Sequence, residues 1–341
     1  MRQKVNCNSL MDRLSAINQM NRYGGEGIPF LFVIDFEMKN IMVQALNQVN
    51  PAYILYAVNE KNNIPSYLRK VQNYTSVLLK KNPIPFETYL PKFEKVMAHI
   101  KGGDTYLLNL TCPTSIALNL TLKEVFLQSE AKYKLWVKDR FVVFSPEIFV
   151  QIIDGQIFSF PMKGTIDADL PNAEALILAD EKEKAEHATI VDLIRNDLSM
   201  VAEKVHVEKF RYVEKVWTYQ KTLLQVSSKI VGTLPADYCK NIGHLIFTLL
   251  PAGSICGAPK KKTVEIILAV EGYKRGYYTG IFGIFDGKNL DSGVMIRFIE
   301  QTETGLIFKS GGGITYKSQA EAEYQEMIDK VYVPIVRKHK N

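Results

Sequence analysis

The sequence predicts an α+β fold with large antiparallel sheets. Three observations carry that expectation. Short β-rich apolar runs recur along the 341 residues, joined by turn signals such as Asp154-Gly155, Asp286-Gly287 and Glu303-Thr-Gly305. Helical patterns interrupt those runs without the strand-helix rhythm that a parallel sheet requires. No repeat, low-complexity segment or linker breaks the chain, so one domain over residues 1–341 is expected.

The elements follow in order. Leu10, Met11, Leu14, Ile17 and Met20 recur at helical spacing and predict an amphipathic first helix. Tyr23-Gly-Gly-Glu-Gly27 reads as a loop. Ile28 to Phe36 and Ala52 to Val58 are apolar, β-rich runs. A helix is expected from Phe86 to Lys101, closed by Gly102-Gly103. Asp104 to Leu110, Lys134 to Val137 and Phe141 to Phe144 predict strands, and Asp154-Gly155 a hairpin. Asn172 to Val201 reads as one or two helices, followed by strands at Val205 to Tyr212 and Leu223 to Gly232. A helix at Tyr238 to Leu250 leads into a small-residue loop, Pro251 to Lys260, and another helix to about Glu271. Tyr277 to Phe308 predicts three antiparallel strands. Gly311, Gly312 and Gly313 then read as a bare loop whose backbone N–H groups suit an anion. Ser318 and Glu321 have the spacing of a capping box, opening a last helix.

Composition narrows the function. The chain is 47% hydrophobic and 23% charged, with a net charge of +6. Its basic residues are scattered, and the densest run is only Lys260-Lys-Lys262, so a nucleic-acid partner is not expected. An anionic small-molecule substrate suits that charge. Cys7, Cys112, Cys239 and Cys256 form no Cys-x-x-Cys pair, which argues against a zinc site or a disulfide framework. No signal peptide and no run of ~18 apolar residues is present, so a soluble cytoplasmic protein without membrane contact is expected.

Several residues could carry chemistry. Glu183 and Glu186 lie three apart on one predicted helix, and Glu323 and Glu326 repeat that spacing on another. Two solvated helix faces explain this; so do two carboxylate pairs around one hard divalent cation such as Mg2+. Lys163 lies at a strand end before Gly164-Thr165. It is either a surface lysine or a pocket nucleophile whose pKa the site lowers. Glu147 follows Ser-Pro at another strand end, as a cap or as a general acid. Arg297 interrupts an apolar strand and needs a carboxylate, either the protein's own or a ligand's. Asp192, Arg195 and Asp197 read as ion pairs tying helices together. His99, His187, His206 and His244 show no metal or triad pattern and read as structural.

Together these motifs resemble those of the chorismate-utilising enzymes, which include anthranilate, aminodeoxychorismate and isochorismate synthases. The resemblance rests on Pro161-Met-Lys-Gly-Thr165, Ala185-Glu-His187 through Asp192-Leu-Ile-Arg-Asn-Asp-Leu198, Gly253-Ser-Ile-Cys-Gly-Ala-Pro-Lys260, Ile296-Arg297 and Gly311 to Glu326. It implies two large antiparallel sheets packed together and surrounded by helices, with residues 1–85 a shortened N-terminal part. It implies Mg2+ on Glu186 and Glu326, with Glu183 and Glu323 beside them, and Glu147 as general acid. Thr165, Ser254, Arg297, Gly311, Gly312 and Gly313 match positions that hold the carboxylates of chorismate. Lys163 resembles the aminodeoxychorismate synthases, component I; anthranilate-forming relatives carry alanine there. That likeness implies a covalent lysine adduct, displaced by ammonia from a partner glutamine amidotransferase subunit, on the route to para-aminobenzoate and folate. The chain departs from the family at Gln225, where a histidine is usual. Leu107 stands where isochorismate-forming members have a lysine base, and the family's tryptophan-binding segment is not evident. Two other readings stand beside this one: anthranilate synthase component I, and a chorismate-binding protein without catalysis.

Overall fold

A computed structural model describes residues 10–69, 77–217 and 222–335; Cys7 lies outside them. The chain opens with α1 (Arg13–Gly25), whose N-cap Asp12 accepts a hydrogen bond from the Ser15 amide. This helix absorbs Tyr23 to Gly25, expected as loop. Next come β1 (Phe30–Ile34), β2 (Ile41–Ala45), β3 (Ile54–Val58), β4 (Lys61–Asn62), α2 (Ser66–Arg69) and β5 (Leu79–Asn82). The helix α3 (Phe86–Lys101) has the bounds its pattern predicts. The strand β6 (Leu107–Leu118) runs eight residues past the expected end, through Thr111 and Thr114, polar residues that are nevertheless buried. Then follow α4 (Leu122–Gln128), β7 (Tyr133–Val137), β8 (Phe141–Ser145), β9 (Ile148–Ile153), β10 (Gln156–Ser159) and β11 (Met162–Asp167). Two helices, α5 (Ala173–Ala179) and α6 (Glu181–Ser199), lead to the long hairpin β12 (Glu203–Trp217) and β13 (Thr222–Thr233). The expected small-residue loop holds a helical turn: α7 (Ile242–Leu249) is followed by α8 (Gly253–Cys256), β14 (Gly257–Ala258) and α9 (Lys260–Val270).

The C-terminal part corrects the sequence reading twice. Residues 277–308 do not form one three-stranded meander. They hold β15 (Ile281–Phe285), β16 (Leu290–Val294), β17 (Phe298–Thr302) and the start of β18 (Gly305–Thr315), and the chain changes sheets between β16 and β17. Gly311 to Gly313 are not a loop but part of β18, paired with Thr111, Leu110 and Asn109 of β6. Glycines lower strand propensity, and only the long partner strand reveals the pairing. The last helix, α10 (Ala320–Asp329), has its N-cap at Gln319 rather than Ser318 and no capping box. The Ser318 hydroxyl instead accepts from the Thr315 amide and donates to Glu323 Oε1 at 2.6 Å.

Among the described residues the strands form two nine-stranded antiparallel sheets. One runs β11-β13-β10-β9-β16-β15-β1-β2, with β12 also on β13; the other runs β14-β6-β18-β17-β8-β7-β3-β4, with β5 on β6. Side-chain alternation explains why the central strands are buried throughout. Phe30, Phe32 and Ile34 of β1 join a core shared with α1, α3, α7 and α9, while Leu31 and Val33 point to the other sheet. There they meet Ile54, Tyr56, Leu135 and Val143, so the two sheets pack face to face. Leu55, Trp136, Phe144 and Phe308 on the far side of the second sheet pack against α4 residues Val125 and Phe126.

Candidate active site

A cleft of about 1180 Å³ is lined by β11 of the first sheet, β6 and β18 of the second, and the helices α6, α8 and α10. Every residue singled out from the sequence as catalytic or carboxylate-binding lines it: Glu147, Lys163, Thr165, Ser254, Arg297 and Gly311 to Gly313. Of the four glutamates, Glu183, Glu186 and Glu326 line it directly. The buried Glu323 lies behind Gly312.

Lys163 owes its direction to a β-bulge. Met162 pairs with Ser227 and Thr165 with Gln225, so Lys163 and Gly164 together face the single residue Val226. Gly164 takes φ +88°, which a side chain would strain. A Cβ there would also come within 3.1 Å of Glu183 Oε2. The bulge places Lys163 Nζ 2.9 Å from Glu186 Oε2. Burial disfavours the ammonium, but the charge and hydrogen bond of Glu186, with Glu183 and Glu326 nearby, outweigh it. The net effect holds Lys163 above the ordinary lysine range.

Glu147 sits in the link between β8 and β9, its amide held by the Ser145 hydroxyl at 3.1 Å. Ser254, on the turn α8, donates to Glu147 Oε1 at 2.5 Å. Burial raises the Glu147 pKa above the usual carboxylate range; the Ser254 bond and the charges of Arg297 and Lys330 offset this only in part. A carboxyl whose pKa is raised and that lines the cleft suits the role of a general acid.

Arg297 does not interrupt a strand. It occupies the crossover between β16 and β17, with φ +53°. Its guanidinium lies 5.2 Å from the Tyr332 ring, and its buried Nε has no hydrogen-bond partner among the described residues. The protein carboxyl within its electrostatic reach is that of Glu147. Beside it, β17 starts at Phe298 opposite Lys309, so Gly311 to Gly313 have a strand partner on one side only. Their other edge faces the cleft with bare backbone.

Glu183, Glu186 and Glu326 face this space, with Glu323 behind Gly312. Glu186 Oε1 is 3.4 Å from the Thr315 hydroxyl, and Glu326 pairs with Lys330 at 2.5 Å. Lys330 also donates to the Gly311 carbonyl at 2.8 Å. Among the described residues, no three acidic, histidine or cysteine side chains come close enough to hold a metal. The donor set nevertheless fits a hard divalent cation in kind, being carboxylate oxygens from two helices, with lysine ammoniums on them here. Gly312 serves this arrangement, since a Cβ there would meet Glu326 and Glu323 at 3.2 and 3.3 Å.

Some residues were read differently from the sequence. Asp192 and Arg195 pair within α6, and only Asp197 reaches another helix, 2.7 Å from Lys260 Nζ. His187 is buried against the Ser228 hydroxyl. Lys330 and Tyr278 line the cleft and were not singled out. Lys330 was within reach of the sequence, four residues past Glu326 on one helix face; Tyr278 carried no such signal.

The chorismate binding enzyme family matches residues 25–335. This chain belongs to that family. The chain is 51% identical over 320 residues to an uncharacterised PabA-like protein of Haemophilus influenzae, covering 94% of this chain and 96% of that one. It is 34% identical over 262 residues to aminodeoxychorismate synthase component 1 of Klebsiella aerogenes, covering 72% of this chain and 56% of that protein. The menaquinone-specific isochorismate synthase of Escherichia coli superposes with a TM-score of 0.71 at 14% identity, covering 93% of this chain and 80% of that one. The fold of paired antiparallel sheets wrapped by helices is thus the family's own.

Proposed function

We propose that this chorismate binding enzyme is an aminodeoxychorismate synthase subunit, converting chorismate and ammonia to 4-amino-4-deoxychorismate. The observation that carries this reading is Lys163, aimed by the bulge into the cleft beside Glu186. In the proposed sequence, the Lys163 amine forms a C–N bond to the ring while the ring C–O bond breaks. Glu147 gives its proton to the departing hydroxyl, which leaves as water. Ammonia then forms the second C–N bond, para to the carboxylate, the bond to Lys163 breaks and returns the electron pair to its nitrogen, and the new ammonium gives its extra proton back to Glu147. Arg297 and the bare edge of Gly311 to Gly313 would receive the substrate carboxylates, with Ser254 and Thr165 beside them. Mg2+ held by Glu186 and Glu326, flanked by Glu183 and Glu323, would offset the substrate's negative charge and the hold of these carboxylates on the Lys163 proton.

The enolpyruvyl group stays on in this chemistry, so pyruvate release would mark the anthranilate-forming reaction instead. The test is mass spectrometry of the products from chorismate, Mg2+ and ammonium. An aminated product with its enolpyruvyl group intact is expected, and an unchanged chorismate pool would sink the proposal. During turnover, intact-protein mass spectrometry should find a chorismate-derived adduct on the wild type. Lys163→Ala should lack it and lose about 100-fold or more in rate. Glutamine should replace ammonium only when a separate amidotransferase subunit, in a cytoplasmic setting, supplies the ammonia.

A further inference from the structure

Arg275 is 2% exposed, and all five of its N–H donors have acceptors. Nε and Nη2 grip the Glu271 carboxylate at 2.8 and 2.6 Å. Nη1 donates to the Ile255 carbonyl at 3.2 Å and to the Thr279 hydroxyl at 3.3 Å. Nη2 also donates to the Asn109 carbonyl at 2.6 Å. The guanidinium lies 4.7 Å from the Phe36 ring centroid. A buried ion pair is a weak source of stability, since apolar side chains of similar size often fold as well. What only a guanidinium supplies is a rigid fork aimed at several acceptors at once.

Those acceptors are informative. Asn109 belongs to β6 and Ile255 to α8, two walls of the cleft. Ile255 directly follows Ser254, the donor to Glu147. We infer that Arg275 is a positioning residue that holds the Ser254 turn against β6 and thereby sets the Ser254–Glu147 hydrogen bond. This rests on the reading of Glu147 as the acid. The groups facing the Glu147 carboxyl are Ser254 from α8, Arg297 from the crossover and Lys330 from the end of α10. Loosening Ser254 removes one of the three influences that lower its pKa. The alkaline limb of the pH–rate profile should then move upward.

The experiment compares Arg275→Lys, Ser254→Ala and their combination by kcat, KM and pH profile. Each single change should lower kcat about tenfold or more with a smaller change in KM, and should move the alkaline limb upward. The combination should be no worse than the poorer single variant, because both act through one contact. Additive losses, or a wild-type profile in Arg275→Lys, overturn the inference. A second variant, Glu271→Gln with Arg275→Met, removes both buried charges together and so is expected to fold. It should show the same shifted profile and faster amide exchange at residues 253–257, read without substrate. A folded variant with wild-type profile and exchange overturns the inference. Failure of both variants to fold also overturns it, since Arg275 would then anchor the whole core. Wild-type protein that leaves chorismate untouched sinks the proposed function instead, while amide exchange still reports on Arg275.

Discussion

Glu147 is kept above the usual carboxylate range by burial, so the folded protein binds its proton more tightly than the unfolded chain does. The sign follows: stability is fully present below the unfolded value of 4.5 and falls as pH rises through the higher folded value. Glu147→Gln removes that penalty and keeps an oxygen to accept from Ser254. Its melting temperature should therefore exceed that of the wild type at pH 7–8, with the gap closing below about pH 4.5. Its turnover should fall about 100-fold or more through loss of the acid. A variant that is less stable at pH 8 and fully active would refute both halves. The residue types of this site were legible in the sequence. Taken alone, Lys163 and Glu147 at strand ends read equally as a surface lysine and a cap; their catalytic roles came from the resemblance of the motifs around them. Their electrostatic state was not legible. The raised pKa of Lys163 depends on Glu186, which lies on a different element and 23 positions away.

At the scale of elements, turning points decide which side chains reach the cleft. The bulge in β11 needs Gly164 in a left-handed conformation. Gly164→Ala should cost about 1–2 kcal/mol in strain. It should also lower activity by displacing Glu183 or Lys163, while chemical denaturation still shows one cooperative transition. Wild-type activity in this variant would separate the bulge from catalysis. Sequence reasoning placed α3 to the residue because its apolar spacing and closing glycines agree. It misread Gly311 to Gly313 for the opposite reason. Three glycines carry no side-chain pattern, and their strand exists only through pairing with β6. The start of α10 escaped similarly: Ser318 has a capping residue's chemistry, but its hydroxyl is committed to Glu323.

Across the whole molecule, the site draws on both sheets, with β11 from one and β6 and β18 from the other. The proposed metal ligands also come from two helices distant in sequence. Glu186→Gln and Glu326→Gln should each abolish Mg2+-dependent turnover, by about 100-fold or more on the scale of charge stabilisation by a metal. Calorimetric titration with Mg2+ should show weakened binding in both variants with the fold intact; full binding in either would exclude that residue as a ligand. A molecule that spans the cleft would touch both walls, and its contacts would then count among those joining the two sheets. Chorismate at about 100 times its Kd should add roughly 2.7 kcal/mol to the folded state. A melting temperature that rises with chorismate concentration checks this, and a flat response would mean that chorismate does not bind the folded chain. Unfolded fractions govern how fast chaperones and proteases remove a marginal protein. By this coupling, the amount of this protein in a cell would follow the supply of its substrate, falling when that supply runs low without any change in the gene's expression.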